Sequence, residues 1–82
     1  MDIGIEMSLY PLTADFIAPI QDFIDRLNAH GRLRVVTNSM STQVFGSFED
    51  LFGALVPEIR TTFERNAKAV FVMKVLGPLA PA

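Results

Sequence analysis

Few side chains in this sequence can do chemistry, and those that can are better suited to holding a molecule than to transforming it. The only histidine, His30, stands beside Gly31. With no second histidine and no cysteine, the chain has neither an imidazole or thiolate metal set nor a sulfur nucleophile. No Ser and Asp sit near His30 at triad spacing. The glycines at 31, 46, 53 and 77 lack the spacing of a phosphate loop, so no nucleotide cofactor is expected. What remains is a binding set: Glu6, Ser8 and Tyr10 at alternate positions near the N-terminus, and Thr37, Met40 and Thr42 in and around a turn. A carboxylate, hydroxyls, an aromatic ring and a thioether can hydrogen-bond and sandwich a small flat ligand.

The hydrophobic pattern says how these residues are carried. Residues 3–10 alternate, with Ile3, Ile5, Met7 and Leu9 on one side and Gly4, Glu6, Ser8 and Tyr10 on the other, which is the period of a strand with one buried face. Pro11 is expected to end it, and Thr13 and Asp15 to cap a helix. From Phe16 apolar residues recur at three and four (Phe16, Ile17, Ile20, Phe23, Ile24, Leu27), the stripe of an amphipathic helix with Pro19 in its first turn. Gly31 is expected to close that helix in a left-handed conformation, with His30 in the last turn. Residues 32–37 and 41–46 read as a hairpin. Ser47 followed by Asp50 opens a second helix, whose stripe is Phe48, Leu51, Phe52, Leu55, Ile59 and Phe63, with a kink expected at Pro57. Lys68 to Val75 alternates again, and Gly77-Pro78 ends it. The acids Asp22, Asp25, Glu49, Asp50, Glu58 and Glu64 fall on outward helical positions, where solvated charge is the ordinary reading.

Strand, helix, strand, strand, helix, strand, with helices long enough to cross over, gives an α+β fold of the ferredoxin-like βαββαβ kind. Its four-stranded antiparallel sheet carries both helices on one face. Residues 1–82 are expected to form one such domain, since a chain of this length closes a single core. Half its residues are hydrophobic and its mean hydropathy is +0.34, rich for so small a chain, so some apolar surface is expected between subunits. Nine acidic and seven basic side chains, net −2, offer no stripe for nucleic acid. No apolar run reaches membrane-spanning length and no secretory pattern opens the sequence, which points to a cytoplasmic protein.

A two-layer sandwich leaves one sheet face bare. Here Tyr10, Val70 and Val72, with Val36 and Phe45, are expected to point that way beside Glu6, Ser8 and Lys74, a mixture too apolar for free water. One reading packs this face on another copy, giving a homodimer or homotetramer. The other adds a ligand pocket at the edge, lined by Glu6, Ser8, Tyr10 and the turn from Thr37 to Thr42. Glu6, a carboxylate on a central strand, is expected either to pair with Lys74 or to serve the ligand.

The segments Met7-Ser8-Leu9-Tyr10-Pro11-Leu12, Pro19-Ile20, Asn38-Ser39-Met40-Ser41-Thr42 with Gly46, and Val72-Met73-Lys74-Val75, in this order, resemble the thiamine-binding family with the YkoF-like fold. The likeness spans about residues 5–75. It implies a cytoplasmic, non-catalytic protein that binds thiamine or its hydroxymethylpyrimidine moiety and assembles through its sheets. The competing reading is a self-associating structural or regulatory module of the same fold without that ligand.

Overall fold

In a computed structural model that describes residues 1–80, the chain runs β1 (Asp2–Pro11), α1 (Ile17–Asn28), β2 (Arg34–Thr37), β3 (Thr42–Ser47), α2 (Phe48–Arg65) and β4 (Ala69–Leu76). The strands form one antiparallel sheet in the order β2-β3-β1-β4, which is the ferredoxin-like arrangement. Ile3, Ile5 and Met7 of β1 and Val44 of β3 are buried beneath Phe23 and Leu27 of α1 and Leu51 and Leu55 of α2. The period of two sets the strand faces and the period of 3.6 sets the helix stripes. Among the described residues no helix is long and apolar enough to cross a membrane.

Ser47 caps α2 as its sequence indicates, its Oγ accepting from the Asp50 amide at 3.1 Å. β1 ends at Pro11 as expected, though not for want of a ladder bond: Pro11 pairs with Ala69, and the next amide, Leu12, donates to the Lys68 carbonyl at 2.9 Å. Antiparallel alternation then turns the Pro11 nitrogen away from β4, toward the side where β3 has already stopped, so the missing donor costs no ladder bond. Other local expectations are corrected. No side chain caps α1; its N-cap is Phe16, not Thr13 or Asp15. Phe16 and Ile17 lie outside the core, 52% and 66% exposed, because the buried stripe begins one turn later. Gly31 does not adopt a positive φ; α1 closes on Ala29, whose amide donates to the Asp25 carbonyl at 3.2 Å, while the His30 amide donates to the Leu27 carbonyl at 3.0 Å. α2 runs from Phe48 to Arg65 with Pro57 inside it; Pro57 and Gly53, whose carbonyl loses its ladder donor there, are both exposed.

The largest departure concerns charge. Glu58 and Asp22 are not simply solvated: they join α1 to α2. The Arg26 guanidinium donates to Glu58 Oε1 at 2.6 Å, to the Glu58 carbonyl at 2.9 Å, to the buried Thr62 hydroxyl at 2.6 Å and to Asp22 at 3.2 Å. His30 Nε2 lies 2.8 Å from the other Glu58 oxygen, so this histidine belongs to the helix interface and not to a helix cap alone. Arg65 reaches Asp22 at 3.1 Å. The Arg26 and Glu58 side chains are only 14% and 18% exposed. Burial opposes ionisation of Glu58, but the hydrogen bonds and charges of His30 and Arg26 outweigh it and hold its carboxyl below the ordinary 4.5.

This sign has a consequence for acid stability. A carboxylate depressed in the fold contributes fully above its unfolded value, near 4.5, and loses that contribution as pH falls through the lower folded value. Glu58→Ala is expected to cost roughly 2–3 kcal/mol at neutral pH by stranding Arg26. Glu58→Gln should flatten the stability profile below pH 4.5. Urea titrations across that range check both.

Candidate functional site

β1 pairs with β4 from Gly4 to Pro11 but with β3 only from Asp2 to Met7. The stretch from Ser8 onward therefore has an open flank, and the turn that joins β2 to β3 occupies it. Asn38 shapes this turn: its Oδ1 accepts from the amides of Met40 at 2.8 Å and Ser41 at 3.1 Å, and its own amide donates to the Ser41 carbonyl at 3.1 Å. Between turn, strand and helix lies a hollow of ≈ 200 Å³, walled by Met7–Tyr10, by Ile20, Phe23 and Ile24 of α1, and by Thr37–Thr42.

Five of the six candidate ligand residues, Ser8, Tyr10, Thr37, Met40 and Thr42, line this one hollow; Glu6 does not. The register explains the division. Met7 opposes Thr42 and Thr42 opposes Thr37, so both threonines share the helix-facing side, with their hydroxyls 3.3 Å apart. Glu6 opposes Lys74 and Gln43 on the open face. There it accepts from the Ser41 hydroxyl at 3.2 Å and lies 3.8 Å from the Lys74 ammonium, the partner its position called for. Ser8 and Tyr10 share that face by alternation and reach the hollow at its rim.

The polar residues that line the hollow are of uncharged types: Ser8, Tyr10, Thr37, Asn38, Ser39, Ser41 and Thr42. By the alternation that faces Leu12 toward β4, Leu9 faces the other way, presenting its N–H and C=O past the start of β3. Phe23, Ile20 and Ile24 supply an apolar floor. The turn from Thr37 to Thr42, Asn38 and Ser41 included, lines the hollow as the sequence indicates, whereas the α1 residues were missed as wall; the apolar stripe of α1 was the available signal for them.

Two further hollows have different characters. One, ≈ 440 Å³, lies among charged groups at the helix ends, including His30, Arg32, Glu49 and Asp50. The other, ≈ 420 Å³, is a largely apolar depression on the open face over Gly4, beside Phe45, Glu6 and Lys74. A Cβ on Gly4 would meet the Phe45 ring at 3.0 Å, and the Arg34 guanidinium stacks on that ring 4.2 Å from its centre. Among the described residues no group of three His, Asp or Glu side chains could hold a metal ion.

The sequence model of the YKOF-related family matches residues 2–75. A Thermotoga maritima protein provisionally named for thiamine biosynthesis or salvage superposes with TM-score 0.81 at 16% identity, over 92% of this chain and 82% of its own. A Streptococcus pneumoniae protein superposes with TM-score 0.86 at 21% identity, over 96% and 89%. A hypothetical protein from Methanocaldococcus jannascii does so with 0.81 at 20%, over 99% and 84%. At such identities these structures speak for the fold alone. No curated protein matches the sequence.

Because Asn38 holds the turn, Asn38→Ala should cost about 1 kcal/mol. It should also speed amide exchange at Met40 and Ser41 while leaving α2 protected, as hydrogen-exchange NMR would read.

Proposed function

The chain belongs to the YKOF-related family, and from that premise we propose that the hollow beside the β2–β3 turn binds the hydroxymethylpyrimidine moiety of thiamine without turning it over. The observation that carries this reading is the hollow's lining: uncharged donors and acceptors on one wall, an apolar and aromatic floor on the other. An aminopyrimidine is a flat ring with alternating donors and acceptors at its edge, and such a wall meets that edge while Phe23 and Ile24 meet its face. The name of the Thermotoga maritima relative adds support for thiamine-related chemistry.

Size and charge favour the pyrimidine over whole thiamine. A volume of ≈ 200 Å³ is below the ~300–1,000 Å³ of sites for drug-sized ligands, and suits one ring. The thiazolium of thiamine would look for an anion, and the nearest carboxylate, Glu6, is already engaged by Ser41 and Lys74 on the other face. The same lining supports a reading of binding without turnover, since it offers hydroxyls and amides that hold a ring rather than an acid-base pair aimed at one point.

Thermal-shift and calorimetric titrations test this. Hydroxymethylpyrimidine should raise Tm in a concentration-dependent way and bind more tightly than thiamine. Thr42→Val should weaken it about tenfold, the equivalent of one lost hydrogen bond at ~1.4 kcal/mol. Glu6→Gln should leave affinity within about twofold, since Glu6 stands outside the hollow. No stabilisation by either compound at millimolar concentration would leave the structural or regulatory module as the surviving reading.

A further inference from the structure

The register of β1 against β3 says what is missing beyond Met7. Continued from the Met7–Thr42 pair, the ladder would set Ser41 opposite Ser8 and Met40 opposite Leu9. Met40 does not take that place. It lies in the turn, where its amide donates to Asn38 Oδ1 at 2.8 Å. On β1 the odd-numbered residues carry the backbone groups that face β3, because Leu12 and the other even positions face β4. Leu9 is therefore half of a hydrogen-bonded pair without its other half, and it lines the hollow. Its side chain packs against the core, which fixes the direction of its N–H and C=O.

Pro11 decides what can fill the gap. A peptide strand laid along this flank would need a second donor two residues on, and residue 11 is a proline, which has none. Proline at such a position guards a sheet edge against strand addition. What remains is one donor and one acceptor on a single extended residue, too little for a strand and enough for one ring.

We infer that Leu9 reads the ligand through its main chain: its N–H donates to a ring nitrogen and its C=O accepts from the amine beside that nitrogen, the ring standing where Met40 would have stood. The assignment rests on the hollow being a pyrimidine site and names the determinant of its specificity. An aminopyrimidine carries an acceptor nitrogen and an exocyclic N–H side by side in one plane, as the two bonds of an antiparallel pair require. The hydroxyls of Thr37 and Thr42 can each donate or accept, so they suit many ring edges and choose among few. The Leu9 pair has a fixed polarity. A ring without the amine leaves the Leu9 carbonyl unpaired in a partly closed gap, and sites built on such bonds reject analogues that lack them.

Heteronuclear NMR reads this bond directly. In the wild-type chain saturated with hydroxymethylpyrimidine, the Leu9 amide proton should shift downfield and exchange about tenfold more slowly, while the amides of β4 keep their rates. The analogue with hydrogen in place of the amine should bind about tenfold more weakly in calorimetric titration. Leu9→Pro deletes the donor on the side where Pro11 already lacks one, so the β4 ladder and the far-UV spectrum should be kept while affinity falls about tenfold. Leu9→Val retains the amide and should bind more tightly than Leu9→Pro. The two wild-type measurements decide the matter even where Leu9→Pro fails to fold. A Leu9 amide unmoved in the saturated complex, or an amine-free analogue that binds as tightly, overturns the inference and leaves the hollow a pyrimidine site held by other contacts. No binding of hydroxymethylpyrimidine at all overturns that reading and the inference with it.

Discussion

Two ladders of unequal length on β1 generate most of what is distinctive in this structure. The strand is held by β4 over its outer stretch to Pro11, but by β3 only as far as Met7. A strand that outruns one neighbour must dispose of backbone groups on the abandoned side. Here Pro11 removes one donor, and Leu9 turns its amide and carbonyl toward the hollow. The hollow is thus a gap in a sheet, floored by a helix, and its position follows from where β3 begins. Since β3 begins where Asn38 closes its turn, one short polar side chain sets the wall.

The helix layer is held by a different kind of force. Leu27, Leu51 and Leu55 supply burial, but burial is indifferent to small slides of one helix along another. Arg26 is not. Its guanidinium meets Glu58 twice, once at the carboxylate and once at the main chain, and Thr62 as well, so both partner positions are fixed along α2. Replacing such a cluster by apolar groups often leaves stability intact; the gain from keeping it is geometric definition. That definition matters because Phe23, three residues before Arg26, forms the floor of the hollow and also meets Phe71 edge-on at 5.0 Å.

Much of this was legible in the residues because period reports environment. The alternation of Ile3, Ile5 and Met7 gave β1 its faces, and with them the pairing of Glu6 with Lys74. The spacing of Leu51 and Leu55 gave α2, and Ser47 its start. Five of the six candidate ligand residues converge on one hollow, although the two threonines face the helices and not the open side. What stayed hidden depended on contacts between distant segments. Glu58 has the periodicity of a surface residue, and only the docking of α1 makes it a partner for Arg26 and His30. Phe16 and Ile17 extend an apolar stripe past the point where the sheet is there to cover it. Pro11 ends β1, but its nitrogen faces the side without a neighbour, so the ladder with β4 loses nothing to it. Gly31 carries a freedom the chain does not use.

The hollow and β4 lie on opposite flanks of β1, and this bears on how far a change at one can reach the other. Coupling between two sites requires an element with two arrangements that both can bias. Between these two stands β1, bonded on both sides from Gly4 to Met7 and anchored in the core by Ile5 and Met7. A strand so held has one register, because a slip of one residue would bring Glu6 into the core. One route around β1 runs through the helix layer, where Phe23 in the floor of the hollow meets Phe71 of β4 edge-on at 5.0 Å. Another, on the open face, runs from Ser41 through Glu6 to Lys74, hydroxyl to carboxylate to ammonium, and its last link, 3.8 Å long and largely solvated, is too weak to carry much. A change at the hollow is therefore expected to cross β1 through the packed rings and hardly at all through the ion pair.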